Sequence, residues 1–484
     1  MCILETLKIK KTHHFLSEQD IKNMSTKITK IGITNDKITG RGGLHFILQY
    51  IGKIGLYGLI CNKILRYIVV GKKGLKFTEF LKQMFAFFID GTDTSISGFD
   101  HKKTDEGYAA LLENTTEEMA SSHQIKRMFI KLSIVSNLIF NRILHELFIW
   151  RLQISKPTVI KVGVDTMVLD NDQAEKREGC EVTYKQKKGF QPLHISWGSF
   201  LIDVWFRKGS AHSNHGTDYI DRVTAIVKLI RKRYDAKVPI IIIGDSGFAD
   251  QKAYTYFEEV LDIHYITTGK MYNEIKEYAQ NIPIDNFSEL SKNKVIWKFI
   301  EFGNKLKSWT KFRRCILTKL HRDEAGQYII NFERPDNVIY TNIGTSPKAD
   351  QQLKKVGGEQ YFEAKTIVEM VHQRGADELI HRSIKELATK EQLPFQNFGM
   401  NRAYYYLMVI THFIFETYKQ DVVYDVIPIT SYPDTFRRKV IDFAAKITKG
   451  ARSVVLKVTK TIYETINIEE IWKRCLAAPD ILLT

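Results

Sequence analysis

Val238-Pro239-Ile240-Ile241-Ile242-Ile243-Gly244-Asp245-Ser246-Gly247-Phe248 is an unbroken apolar run that ends on a carboxylate and an Asp-Ser-Gly turn. A strand without polar alternation is covered on both faces, so it belongs at the centre of a sheet with helices over it. Thr158-Val159-Ile160-Lys161-Val162-Gly163-Val164-Asp165 has a related form, a β-branched run that also closes on a carboxylate. Between the two, Gln191 to Trp197 and Phe200 to Phe206 read as strands. Thr217 to Tyr234 reads as a helix with Ile220, Val223, Ile226, Val227 and Ile230 on one face. Asp250 to Glu259 continues as a helix, and Ile263 to Thr268 as a fifth strand.

Three strands, a helix, a central strand, a helix and a strand is the order of an RNase H-like sheet. Outward from it, residues 271–360 lose the helical pattern, and alternating segments at Val295 to Phe302, Phe312 to Leu320, Tyr328 to Phe332 and Val338 to Tyr340 suggest an antiparallel β insertion. A long helix is expected from Phe362 to Ala388, and a second, Asn401 to Lys419, is apolar nearly all round and so buried. Leu44 to Trp150 reads as helices. The expected fold class is α/β, with five segments: a helical N-terminal DNA-binding region (1–150), the core's first part (151–270), the β-rich insertion (271–360), the core's second part (361–420) and a helical, basic C-terminal region (421–484).

The chain has 484 residues, 44% hydrophobic, and carries 71 Lys and Arg against 55 Asp and Glu, a net charge of +16. That excludes disorder and fits a polyanionic partner. Five scattered cysteines without a C-x-x-C pair speak against a zinc or disulfide framework. Lys53, Lys63 and Arg66 interrupt the most apolar N-terminal stretch, so no membrane span or membrane partner is expected, and the N-terminus shows no secretory signal. A cytoplasmic, nucleoid-associated protein is the expectation. The charge is concentrated: Phe287 to Arg322 holds ten basic residues against two acidic, and Arg437 to Lys460 eight against one.

Asp165 and Asp245 each close a strand at its carboxyl end, where open α/β sheets bind ligands, and would come together if the two strands are neighbours. Two such carboxylates repel unless a divalent cation lies between them. A third ligand is wanted from the helical region. Glu378 suits, because Arg374, His381, Arg382 and Lys385 follow its face at −4, +3, +4 and +7. Trp297 and Trp309, among the insertion's basic residues, either stack on unpaired bases or pack a sheet. Lys126, Arg127 and Lys131 lie opposite the apolar face of a helix capped at Ser121 or Ser122, and either hold DNA phosphates or form a solvated face. Asp170, Asp172, His212, His215, Lys187 and Lys188 read as loop or solvated groups rather than ligands.

Asp165-Thr166, Gly244-Asp245-Ser246-Gly247-Phe248 and Arg374-x3-Glu378-x6-Lys385, in that order, resemble the DDE motif and YREK signature of insertion-sequence transposases. Arg207 to Asn214 and Leu393 to Asn401 resemble segments of the branch with a β insertion in its catalytic domain. The signature's Tyr is replaced by Val371, and Met167 stands where many relatives have a hydroxyl residue. The resemblance implies a DNA transposase in which Asp165, Asp245 and Glu378 hold two Mg²⁺, with Mn²⁺ substituting. It implies that Arg374 and Lys385 grip the DNA backbone, with Arg382 and His381 beside them. Its partners would be double-stranded DNA, as terminal inverted repeats and target, and a second copy in a homodimer pairing two ends. The rival readings are a nuclease of the same superfamily without strand transfer and a non-cutting DNA-binding derivative.

Overall fold

The computed structural model describes residues 30–481 except 72, 174–175, 213–215, 293, 308, 329–336, 374, 388–390 and 451–452; the side chains of 279–280 and 375–378 also lie outside the description. Nine of the described strands form one mixed sheet: β1 (Ile160–Thr166), β2 (Leu193–Trp197), β3 (Phe200–Trp205), β4 (Ile240–Gly244), β5 (His264–Gly269), β6 (Ser288–Lys292), β7 (Val295–Asn304), β8 (Arg313–Arg322) and β9 (Asn337–Thr341). Their order is β6-β7-β8-β9-β5-β4-β1-β2-β3. β4 runs parallel to both neighbours, and every other pair is antiparallel.

The apolar run explains β4's place. Ile240 and Ile242 enter one hydrophobic core, while Ile241 and Ile243 enter a second core on the other face. The strands of 288–341 extend this same sheet, because β9 pairs with β5 from Val338↔Gly269 to Thr341↔Ile266. Of the expected strand Tyr328 to Phe332, Tyr328 bridges Arg322 and the rest lies outside the described residues.

Helices cover both faces. The principal ones are α1 (Phe77–Asp90), α2 (Ser122–Leu132), α3 (Asn137–Ser155), α4 (Asp218–Arg233), α5 (Ala364–His372), α6 (Gly375–Leu387) and α7 (Phe398–Asp421). Ser121 caps α2, its hydroxyl accepting from the Gln124 amide while the Gln124 side chain returns the bond. α7 is buried along nearly its whole length between α1, α2, α3, α6 and β3. The expected single helix from Phe362 to Ala388 is instead two. α5 ends at His372 and α6 starts at Gly375, a residue whose backbone freedom disfavours helix interiors.

The C-terminal region, expected to be helical, also carries strands. Ala445–Lys449 pairs with Val454–Lys457 and with Lys37–Thr39, and the helix Ile468–Ala477 packs on the helix Leu44–Lys53 through Trp472 against His45 and Phe46. Among the described residues no single helix is long and apolar enough to cross a membrane; two bent helix pairs reach that composition only jointly.

Candidate active site

The register of β1 on β4 sets the site. Val164 lies beside Gly244, so Asp165 and Asp245, each one residue further, stand abreast at the carboxyl ends of two parallel strands about 4.8 Å apart. Each carboxylate is partly buried and held by a backbone amide: Thr166 N donates to Asp165 Oδ1 at 2.7 Å, and Gly247 N to Asp245 Oδ1 at 2.8 Å. The second bond arises because the Asp-Ser-Gly turn winds into a short helical turn, Ser246–Phe248, capped by Asp245. A further residue joins them. Tyr184 sits on the hairpin Glu181–Val182/Lys188–Phe190, and burial followed by the charges of Asp165 and Asp245 pushes its phenol above the usual range. The two short strands of that hairpin carry no apolar run, so the sequence leaves Tyr184 without a signal.

α6 brings the third position. Glu378 lies on it, and its side chain is outside the description. His381, one turn further, places Nε2 3.9 Å from Asp165 Oδ2 and 3.3 Å from His194 Nδ1. The helix therefore docks beside Asp165 with the turn that follows Glu378. Among the described residues no group of three or more His, Cys, Asp or Glu has the spacing to hold a metal ion. The oxygen donors of Asp165 and Asp245 nonetheless suit a hard divalent cation such as Mg²⁺ or Mn²⁺.

Residues 74–477 match the family model described as transposase DDE domain group 1. The chain belongs to this transposase family. Comparison with curated proteins gives no match. Among solved structures, the piggyBac transposase synaptic complex with hairpin DNA aligns over 84% of this chain and 82% of its own, at 13% identity and a TM-score of 0.34.

The remaining candidates of this transposase family member separate by environment. Lys126, Arg127 and Lys131 are exposed on α2, whose other face buries Ile125, Met128, Phe129 and Leu132. On α6, Arg382 pairs with Glu386 at 2.7 Å and covers the Tyr432 ring, while Lys385 pairs with Glu391 at 2.7 Å. Arg374 lies outside the described residues. Trp297 is half-buried against His372 of α5. Trp309 corrects the stacking expectation: it is 6% exposed, packed edge-on to Tyr254 and Tyr340 with Arg313 over its ring, and has no face for a base.

Part of the insertion's basic charge is likewise structural. Arg313 is buried against Glu258 and Tyr265, Arg314 binds Glu301 and two backbone carbonyls, and Lys298 and Lys311 pair with Glu289 and Glu258. Asp170 is engaged by Lys187, and Asp172 accepts the Lys188 amide, so neither faces the carboxylate pair as a spare ligand. His215 is outside the described residues.

Proposed function

We propose that this chain is a DNA transposase that binds the ends of an insertion sequence, cleaves a strand there and joins it to target DNA. Asp165, Asp245 and Glu378 are the ligands for two Mg²⁺ or Mn²⁺. The observation that carries the reading is the Val164↔Gly244 register, which sets two carboxylates side by side where substrates reach an open sheet. The strand order β5-β4-β1-β2-β3, with antiparallel β1–β2–β3 followed by helical crossovers, supports an RNase H-like core, and the antiparallel β6–β9 extension supports its β insertion.

Bound divalent ions would supply Lewis-acid stabilisation of charge on the attacking and departing oxygens of an in-line phosphoryl displacement. The chain's own part is preorganisation. The Thr166 and Gly247 amides fix the two carboxylates on rigid strand ends before any ligand arrives. Lys126, Arg127 and Lys131 on α2, Arg382 and Lys385 on α6, and Arg374 are our candidates for holding phosphates, and Trp297 is the remaining candidate for base contact. Two copies would pair two ends, acting on DNA in the cytoplasm.

A cleavage assay on duplex carrying the element's terminal repeats tests this. Wild type is expected to nick and then join strands with Mg²⁺ or Mn²⁺. Asp165→Ala, Asp245→Ala and Glu378→Ala are each expected to lose about 10³-fold in rate with DNA binding retained. Wild-type cutting by Glu378→Ala would remove Glu378 from the site, and products that never join would mark a nuclease.

A further inference from the structure

Asp165 and His194 are cross-strand partners in the β1–β2 register, so their side chains share one face of the sheet. His194 is 2% exposed. Its Nε2 lies 2.6 Å from the hydroxyl of Tyr405, which is fully buried on α7, and its Nδ1 lies 3.3 Å from His381 Nε2 on α6. The His194 and Tyr405 rings are parallel to within 8°. A hydrogen-bonded row of Tyr405, His194 and His381 thus crosses a strand and two helices and brings an imidazole to 3.9 Å from the carboxylate. We infer that Tyr405 and His194 are positioning residues for the site, setting through His381 both the approach of α6 to Asp165 and the orientation of the Asp165 carboxylate. The inference rests on the proposed role of Asp165.

The row has a favoured polarity. Burial holds the His194 imidazole well below its ordinary range, so it is neutral, with one donor and one acceptor nitrogen. Were His194 Nδ1 the donor, His381 Nε2 would turn a lone pair toward the Asp165 carboxylate 3.9 Å away. The favourable arrangement is the reverse. His381 Nε2–H points at His194 Nδ1 and Asp165 Oδ2 together, and His194 Nε2–H donates to the Tyr405 oxygen. Asp165 is then addressed on both oxygens, by the Thr166 amide and by an imidazole held from behind, as ligating carboxylates are when outer partners orient them.

The test uses the full-length protein, cleaving terminal-repeat duplex over a Mg²⁺ titration. Tyr405→Phe removes one hydroxyl and keeps the ring. Its rate at saturating DNA is expected to fall about tenfold, and its half-maximal Mg²⁺ to rise by a similar factor, with DNA affinity and thermal midpoint unchanged. His194→Ala should lose more, and His194→Asn, whose Oδ1 can take the place of the accepting nitrogen, should recover part of the loss. Wild-type rate and Mg²⁺ dependence in Tyr405→Phe, with Asp165→Ala inactive, would overturn the positioning role alone. A rate loss that vanishes when normalised to folded protein would overturn it too. Wild-type cutting by Asp165→Ala would overturn the site itself, and this inference with it.

Discussion

Arg437 shows what a single residue does when its charge is turned inward. Nε donates to Ile89 O at 2.8 Å and Nη2 to Phe88 O at 2.9 Å, at the end of α1; Nη1 and Nη2 reach Glu386 O and Leu387 O, at the end of α6. Terminal helix carbonyls lack intrahelical donors and carry partial negative charge, so one guanidinium satisfies two helix ends together. Arg437→Met should lower unfolding free energy by about 3 kcal/mol in urea titration, because four carbonyls and Asp434 are left without their donor in a buried setting. In the sequence this residue is one more cation in a basic tail, since charge alone does not reveal burial. Asp165 and Asp245 are legible for the opposite reason: apolar runs that stop on a carboxylate mark strand ends. Tyr184, His194 and Tyr405 have no such marker, because only the folded sheet sets them near Asp165.

Among the elements, β4 is the most legible, since four consecutive isoleucines admit no exposed face. α5 and α6 read as one helix in the sequence because apolar periodicity runs through both and does not register a glycine such as Gly375, where α6 begins. Glu378, His381 and Lys385 stand at helical spacing on α6, whereas the residues up to His372 belong to α5. α2 is legible in both its cap and its buried face. If its exposed side lies along DNA, changing Lys126, Arg127 and Lys131 to Ala should weaken binding to duplexes of any sequence alike. The slope of log K against log salt should become shallower by about 0.9 for each phosphate no longer neutralised, measured by anisotropy over a salt series.

For the molecule as a whole, two deeply buried imidazoles make stability depend on pH. His412 is pushed down to about 3 by burial on α7, and His194 is also held well below its usual range. The unfolded chain binds protons at these groups near pH 6.5 and the folded chain does not, so the unfolded state gains protons as pH falls. Stability should therefore drop on acidification from about pH 6.5 toward 3, by up to about 1.4 kcal/mol per pH unit for each imidazole. Glu416, raised by burial, works in the opposite direction above its unfolded value. His412→Leu should give a shallower acid limb in urea midpoints measured across that range. The pairing of Lys37–Thr39 with Ala445–Lys449 has a last consequence, for biosynthesis. The early strand can pack on the helix Glu106–Leu111 as soon as that is made, but it has no strand to pair with on the ribosome until Ala445–Lys449 follows. A chain released before residue 445 would leave the main-chain groups of Lys37–Thr39 without their antiparallel partner.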